Sequence, residues 1–138
     1  SLEQMQRIRE VCPKDFLLLS GDDALTLPLL SIGGVGVISV AANIVPKDVA
    51  GVINAFNKGD LKTAQELHAK LQPLIRALFI ETNPIPVKTA CELMGLCSSS
   101  MRLPMCDMED ANLLKLKVAL RAYGLLDQND KAKQTAIV

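Results

Sequence analysis

The sequence predicts an α/β fold that becomes wholly helical in its second half. Two short apolar runs, Phe16-Leu17-Leu18-Leu19 and the β-branched stretch 35–42, flank a helical segment. That is the pattern of a β-α-β unit, with parallel strands and helices outside. After Gly59 the apolar residues recur at three- and four-residue spacing, which is helical periodicity. The 138 residues are 49% hydrophobic and 22% charged, enough for one folded domain with a real core and too short for two ordinary ones.

In chain order, Leu2, Met5, Ile8 and Val11 mark one amphipathic helix, stopped by Pro13. The run 16–19 reads as a strand buried on both faces, ending at Ser20-Gly21-Asp22-Asp23. Asp22 or Asp23 caps a helix through Leu25, Leu27, Leu29 and Leu30, which Pro28 should shorten or kink and Gly33-Gly34 should end. Residues 35–42 form the second buried strand, and Asn43 ends it. Pro46 fits the first turn of a helix through Val49, Val52, Ile53 and Phe56. Asp60 caps a long helix with Leu61, Ala64, Leu67, Leu71, Leu74, Ile75 and Leu78 on one stripe. Asn83-Pro84-Ile85-Pro86 predicts an extended break, 87–94 a helix closed by Gly95, and 98–105 a loop. Asp107 and Asp110 resemble a capping pair for a last helix with Leu113, Leu116, Leu120 and Tyr123 on its apolar side, ended by Gly124. Residues 127–138 read as a frayed polar tail.

Composition excludes several functions. Lys+Arg and Asp+Glu both total 15, so there is no electrostatic footprint for nucleic acid or an anionic membrane. Aromatic residues make up 3%, with no Trp, which argues against a base-stacking surface. Apolar stretches break well before the ~20 residues of a membrane span. The polar start of the chain has no apolar signal-peptide core. Cys12, Cys91, Cys97 and Cys106 form no CxxC pair, and His68 is the one histidine, so no zinc site or other cofactor is expected. The cysteines read as reduced small hydrophobes of a cytosolic protein, and His68 as a helix-surface residue.

The strand count is the oddity. Two parallel strands, apolar throughout, need neighbours on both edges and cover on both faces. Either another polypeptide completes the sheet, or this is the C-terminal piece of a larger α/β protein.

Four blocks carry a resemblance. They are Leu18-Leu19-Ser20-Gly21-Asp22-Asp23-Ala24, Gly33-Gly34-Val35-Gly36-Val37-Ile38-Ser39-Val40-Ala41-Ala42-Asn43, Asn83-Pro84-Ile85-Pro86-Val87-Lys88 and Arg102-Leu103-Pro104-Met105. In this order and spacing, from about Leu2 to Leu126, the chain resembles the dihydrodipicolinate synthase family. The resemblance implies the C-terminal part of a (β/α)8 barrel, strands 7 and 8 with their helices, over residues 1–58. A C-terminal helical domain would follow over 59–126. It implies a cytoplasmic lysine-biosynthetic enzyme that condenses pyruvate with aspartate semialdehyde through a Schiff base on a strand-6 lysine. It places that lysine before Ser1, together with the family's catalytic tyrosine, paired threonines, substrate arginine and lysine-feedback residues. The expected partners are therefore the two substrates, the N-terminal barrel portion and further copies in a homo-oligomer, commonly a tetramer. The chain alone should be inactive.

Two substrate-binding residues are implied here, Gly21 and Ile38. Gly21 ends the first strand, where a missing Cβ would let the backbone close on a ligand or simply permit the turn. Ile38 lies on the second strand, and the family uses the backbone at this position beside the Schiff-base lysine; from sequence alone it is an ordinary barrel residue. Asp22 and Asp23 suit acid–base work as a pair, but a cap is the simpler role. Asn43 satisfies loop backbone or faces the site mouth. Two other functions remain open: a sialic-acid or sugar-acid aldolase of the same superfamily, and a non-enzymatic helical interaction module. The loop Ser20-Gly21-Asp22-Asp23-Ala24 matches the synthase better than the aldolases.

Overall fold

A computed structural model describes residues 1–127, so that 128–138 of the expected tail lie outside the described residues. The chain divides into two compact units, Ser1–Arg76 and a second beginning at Ala77. The division falls inside a helix, later in the chain than Gly59.

The first unit opens with α1, Leu2–Val11, whose N-cap Ser1 accepts the Gln4 N–H through its hydroxyl at 3.2 Å. Arg9 in its last turn donates to the Phe16 carbonyl at 3.0 Å. Strands β1 (Leu19–Ser20) and β2 (Gly36–Val37) pair in parallel, Leu19 with Gly36 and Ser20 with Val37. Val35 N–H to Leu18 O at 2.9 Å and Ile38 N–H to Ser20 O at 2.8 Å extend the ladder at both ends.

Both strands differ from expectation. The first is not buried on both faces: Leu18 and Ser20 are buried, while Leu17 is 67% exposed and Leu19 46%. Among the described residues no other strand pairs with these two, so alternate side chains find cover inside the chain and the rest do not. The second strand stops at Val37, and Ala41–Asn43 form a 3-10 turn instead of its end. Hydrogen bonds from Ser39 and Val40 turn the chain out of the sheet.

Between the strands, Asp22 accepts the Ala24 N–H at 2.8 Å and starts a 3-10 turn, Asp23–Leu25. The helix proper, α2, spans only Thr26–Ser31, with Pro28 in its first turn. Gly33 (φ 91°) turns the chain, and Gly34 donates back to the Leu29 carbonyl at 2.9 Å. Helix α3, Pro46–Asn57, has its proline in the first turn as expected and buries Val49, Val52 and Ala55. Helix α4, Leu61–Leu78, starts at Asp60, whose carboxylate accepts the Thr63 N–H at 3.1 Å; the Thr63 side chain, and then that N–H, hold it below the ordinary aspartate range. Gly51 of α3 faces Leu67 of α4, and a Cβ there would lie 3.1 Å from Leu67 Cδ1, so only glycine gives this approach without displacement.

In the second unit, α5 spans Ile85–Leu93. The expected extended break is shorter than predicted: Ile85 and Pro86 already form the first turn, where a missing N–H costs nothing. Residues 98–105 are a loop as expected. Helix α6, Asp110–Tyr123, packs on α5 and fully buries Leu116 and Leu120. Its start is not an Asp107–Asp110 cap. Its N-cap is Glu109, whose N–H goes to Glu81 Oε1 at 3.0 Å, and Asn112 Nδ2 reaches the same oxygen at 2.9 Å. An acid distant in sequence does the capping. No described helix is long and apolar enough to cross a membrane.

Candidate active site at the strand ends

The C-terminal ends of β1 and β2 lie side by side, which makes Gly21 and Ile38 neighbours one step beyond the Ser20–Val37 pair. Both are exposed, Ile38 to 71%. Ile38 is not on the strand itself but just after it, and its N–H is held by the Ser20 carbonyl. Gly21 has no positive φ, and a Cβ added there would meet nothing within 4 Å. The turn in this chain therefore does not require glycine.

A polar network fixes these ends. The Ser20 hydroxyl, fully buried, donates to the Asp22 carbonyl at 2.7 Å and accepts the Asp22 N–H at 3.0 Å. Asp23 is 3% exposed. Its carboxylate accepts the Ser39 hydroxyl on one oxygen and the Val40 N–H on the other at 2.8 Å. Ser39 Oγ in turn accepts the Ala42 N–H at 2.8 Å. The two aspartates thus divide the work: Asp22 caps, while Asp23 ties the end of one strand to the end of the other. Their carboxylates bind the turn backbone and the Ser39 hydroxyl, not each other. Asn43 donates to the Val40 carbonyl at 2.9 Å, the backbone role among its two options.

The tie between Asp23 and Ser39 was missed by sequence reasoning. A signal existed, since Ser39 is the one polar residue in the run 35–42. No lysine lies on β1, β2 or the turns 21–25 and 38–43. Lys14, Lys47, Lys58 and Lys88 fall on a turn, the first turn of α3, its C-cap and α5. Among the described residues no cluster of His, Cys, Asp or Glu has the grouping to hold a metal ion.

His68 is half-buried rather than a simple surface residue, with Nε2 3.0 Å from Gln72 Nε2. Burial pushes its pKa down, opposed by the Ala24 backbone. The cysteines do not act as buried hydrophobes: Cys97 and Cys106 are exposed, and Cys12 and Cys91 are half-buried.

Residues 1–123 match the model of the dihydrodipicolinate synthetase family. The chain is 59% identical over 126 residues to the 4-hydroxy-tetrahydrodipicolinate synthase of Endomicrobium trichonymphae, covering 91% of this chain and 43% of that protein. It is 55% identical to the enzyme of that name from Methanosarcina mazei, over 88% of this chain and 42% of that one. Among solved structures, the dihydrodipicolinate synthase from Aquifex aeolicus superposes with a TM-score of 0.88 at 44% identity, covering 94% of this chain and 44% of its own. The chain therefore spans less than half the length of the relatives it matches.

Proposed function

The chain belongs to the dihydrodipicolinate synthetase family, and on that footing we propose that it is the C-terminal part of a synthase condensing pyruvate with aspartate semialdehyde. The 59% identity to an enzyme of that name is the observation that carries this. In this reading β1 and β2 are strands 7 and 8 of a (β/α)8 barrel over residues 1–58, and 59–126 form the helical domain after it. The reacting centre lies at the C-terminal strand ends, where such barrels place their chemistry. A lysine amine outside these 138 residues adds to the keto carbon of pyruvate, water leaves, and the resulting Schiff base supplies the carbon that attacks the aldehyde. The absence of any lysine from the described strand ends supports assigning that step elsewhere.

Gly21 and Ile38 then line the pyruvate side through their backbones. The Ile38 backbone is held between the Ser20 carbonyl and the Asp23-bound segment 39–40, so its position is set before substrate arrives. The enzyme would work as a cytoplasmic homo-oligomer.

The test is complementation. Co-expressed with the remaining barrel portion of a synthase, the chain should restore condensation of pyruvate with aspartate semialdehyde. A folded complex without turnover would overturn the proposal, and preference for N-acetylmannosamine as acceptor would reassign it to the sialic-acid aldolases. Alone, the chain should give no pyruvyl adduct on borohydride trapping. A stable adduct on any of its lysines would place the Schiff base inside these residues.

A further inference from the structure

We propose that Cys91 and Cys97 are a reversible thiol–disulfide pair, a modification site that small-molecule disulfides such as oxidised glutathione close into an intramolecular bridge. The end of α5 builds the pair. Gly95 takes φ 73° and donates to the Glu92 carbonyl at 2.9 Å, and Leu96 N–H returns to the Cys91 carbonyl at 2.8 Å. This double closure reverses the chain at once. The returning segment is then clamped to the helix that it left. Ser99 places its N–H on Glu92 Oε1 at 3.2 Å and its hydroxyl on Oε2 at 2.7 Å, and Lys88 Nζ donates to the Ser100 carbonyl at 2.5 Å. Residues 97–100 therefore run back over 88–92, which returns the chain at Cys97 to the end of the helix that carries Cys91.

The two thiols have different surroundings. Cys97 is exposed and open to reagent, while Cys91 is half-buried. Burial, and then the neighbouring Cys97, push the Cys91 thiol up. Attack therefore starts at Cys97. Its thiolate displaces one sulfur of the glutathione disulfide, whose S–S bond breaks, and that glutathione leaves as a thiol. Cys91 loses its proton to solvent and attacks the Cys97 sulfur of the mixed disulfide, expelling the second glutathione. Two protein thiols are oxidised and one glutathione disulfide is reduced to two thiols. A reducing dithiol reverses the exchange.

The experiment treats the folded full chain with oxidised glutathione, quenches with acid and digests without reduction, using trypsin and a glutamate-specific protease together. Cutting after Lys88, Glu92 and Arg102 separates the two cysteines from each other and from Cys106. The expected product is fragment 89–92 joined to fragment 93–102. Cys91→Ser should leave Cys97 as a lasting glutathione adduct, and Cys106→Ser should leave the link unchanged. Ser99→Ala, which keeps both thiols and removes the hydroxyl clamp, should slow bridge formation several-fold. Unlinked fragments, or Cys106 joined as readily as Cys91, would overturn the proposal. So would a Cys97 adduct that persists although Cys91 is present.

Discussion

Asp23 accepts two hydrogen bonds at a position 3% exposed, so removing its carboxylate strands the Val40 N–H and the Ser39 hydroxyl together. Asp23→Ala should cost about 1–3 kcal/mol per donor left unpaired, read as a fall in the thermal midpoint. Ser39→Ala leaves the Val40 bond but strands the Ala42 N–H and one Asp23 oxygen, so it too should lower the midpoint. Gly34 and Gly21 make a contrasting pair. A Cβ at Gly34 runs into Leu29 Cγ and lies 2.8 Å from its Cδ2, and Leu29 is fully buried. Gly34→Ala should therefore destabilise the chain by about 1–3 kcal/mol. Gly21→Ala meets no atom and no positive φ, so the midpoint should hold. In the assembled synthase kcat/KM should nevertheless fall, because the added methyl intrudes on the ligand. A lowered midpoint with normal kinetics would remove Gly21 from the site. His68 gives a pH signature. Folding favours its neutral ring, so its contribution is complete above the ordinary 6.5 and is lost as the pH falls from there through the lowered folded value. His68→Gln should flatten that part of a midpoint-against-pH curve.

Helices and the parallel pairing of the two strands were legible in the sequence, and the strands' extent and cover were not, for a physical reason. Helical identity is local: Ser1, Asp60, Pro46 and Gly124 act within one turn of where they stand, and α1, α3, α4 and α6 lie where their apolar spacing puts them. The ends that were misplaced depend on partners distant in sequence. Glu81 caps α6 across 28 residues, and Asp23 stops β2 across 17. An apolar run also does not say whether its second face is covered by the same chain. Of the candidate site, the neighbourhood of Gly21 and Ile38 follows from the strand ends, whereas the buried Ser20, Asp23 and Ser39 network needed the fold. The loop after α5 has its own acid sensitivity. Hydrogen bonds from Ser99 hold Glu92 below the ordinary glutamate value of 4.5. The tether is thus complete above that pH and is lost as the pH falls through the lowered value. The protection of the Ser99 amide, its exchange rate divided into the intrinsic rate at each pH, should fall on that descent in the wild type and be lower and nearly constant with pH in Glu92→Gln.

At the scale of the molecule, the first unit leaves Phe16, Leu17, Leu19, Val35 and Ile38 between 43% and 71% exposed. Such a concentration around one strand pair, with ladder groups unpaired at its outer edges, is a surface that seeks cover. The isolated chain should self-associate and bind a hydrophobic dye, as followed by light scattering and fluorescence. The remaining barrel portion should suppress both. A dye-silent monomer at working concentration would show that the chain covers this surface itself, against the barrel assignment.

The tie between Asp23 and Ser39 also constrains inheritance. An acid buried against a hydroxyl is tolerable only while both are present, and the two positions lie 16 residues apart. A lineage that loses the hydroxyl keeps a carboxylate half-satisfied, and one that loses the acid keeps a serine hydroxyl whose proton has lost its acceptor. Positions 23 and 39 should therefore change together among homologous sequences, while the exposed Asp22 beside them drifts among capping residues independently.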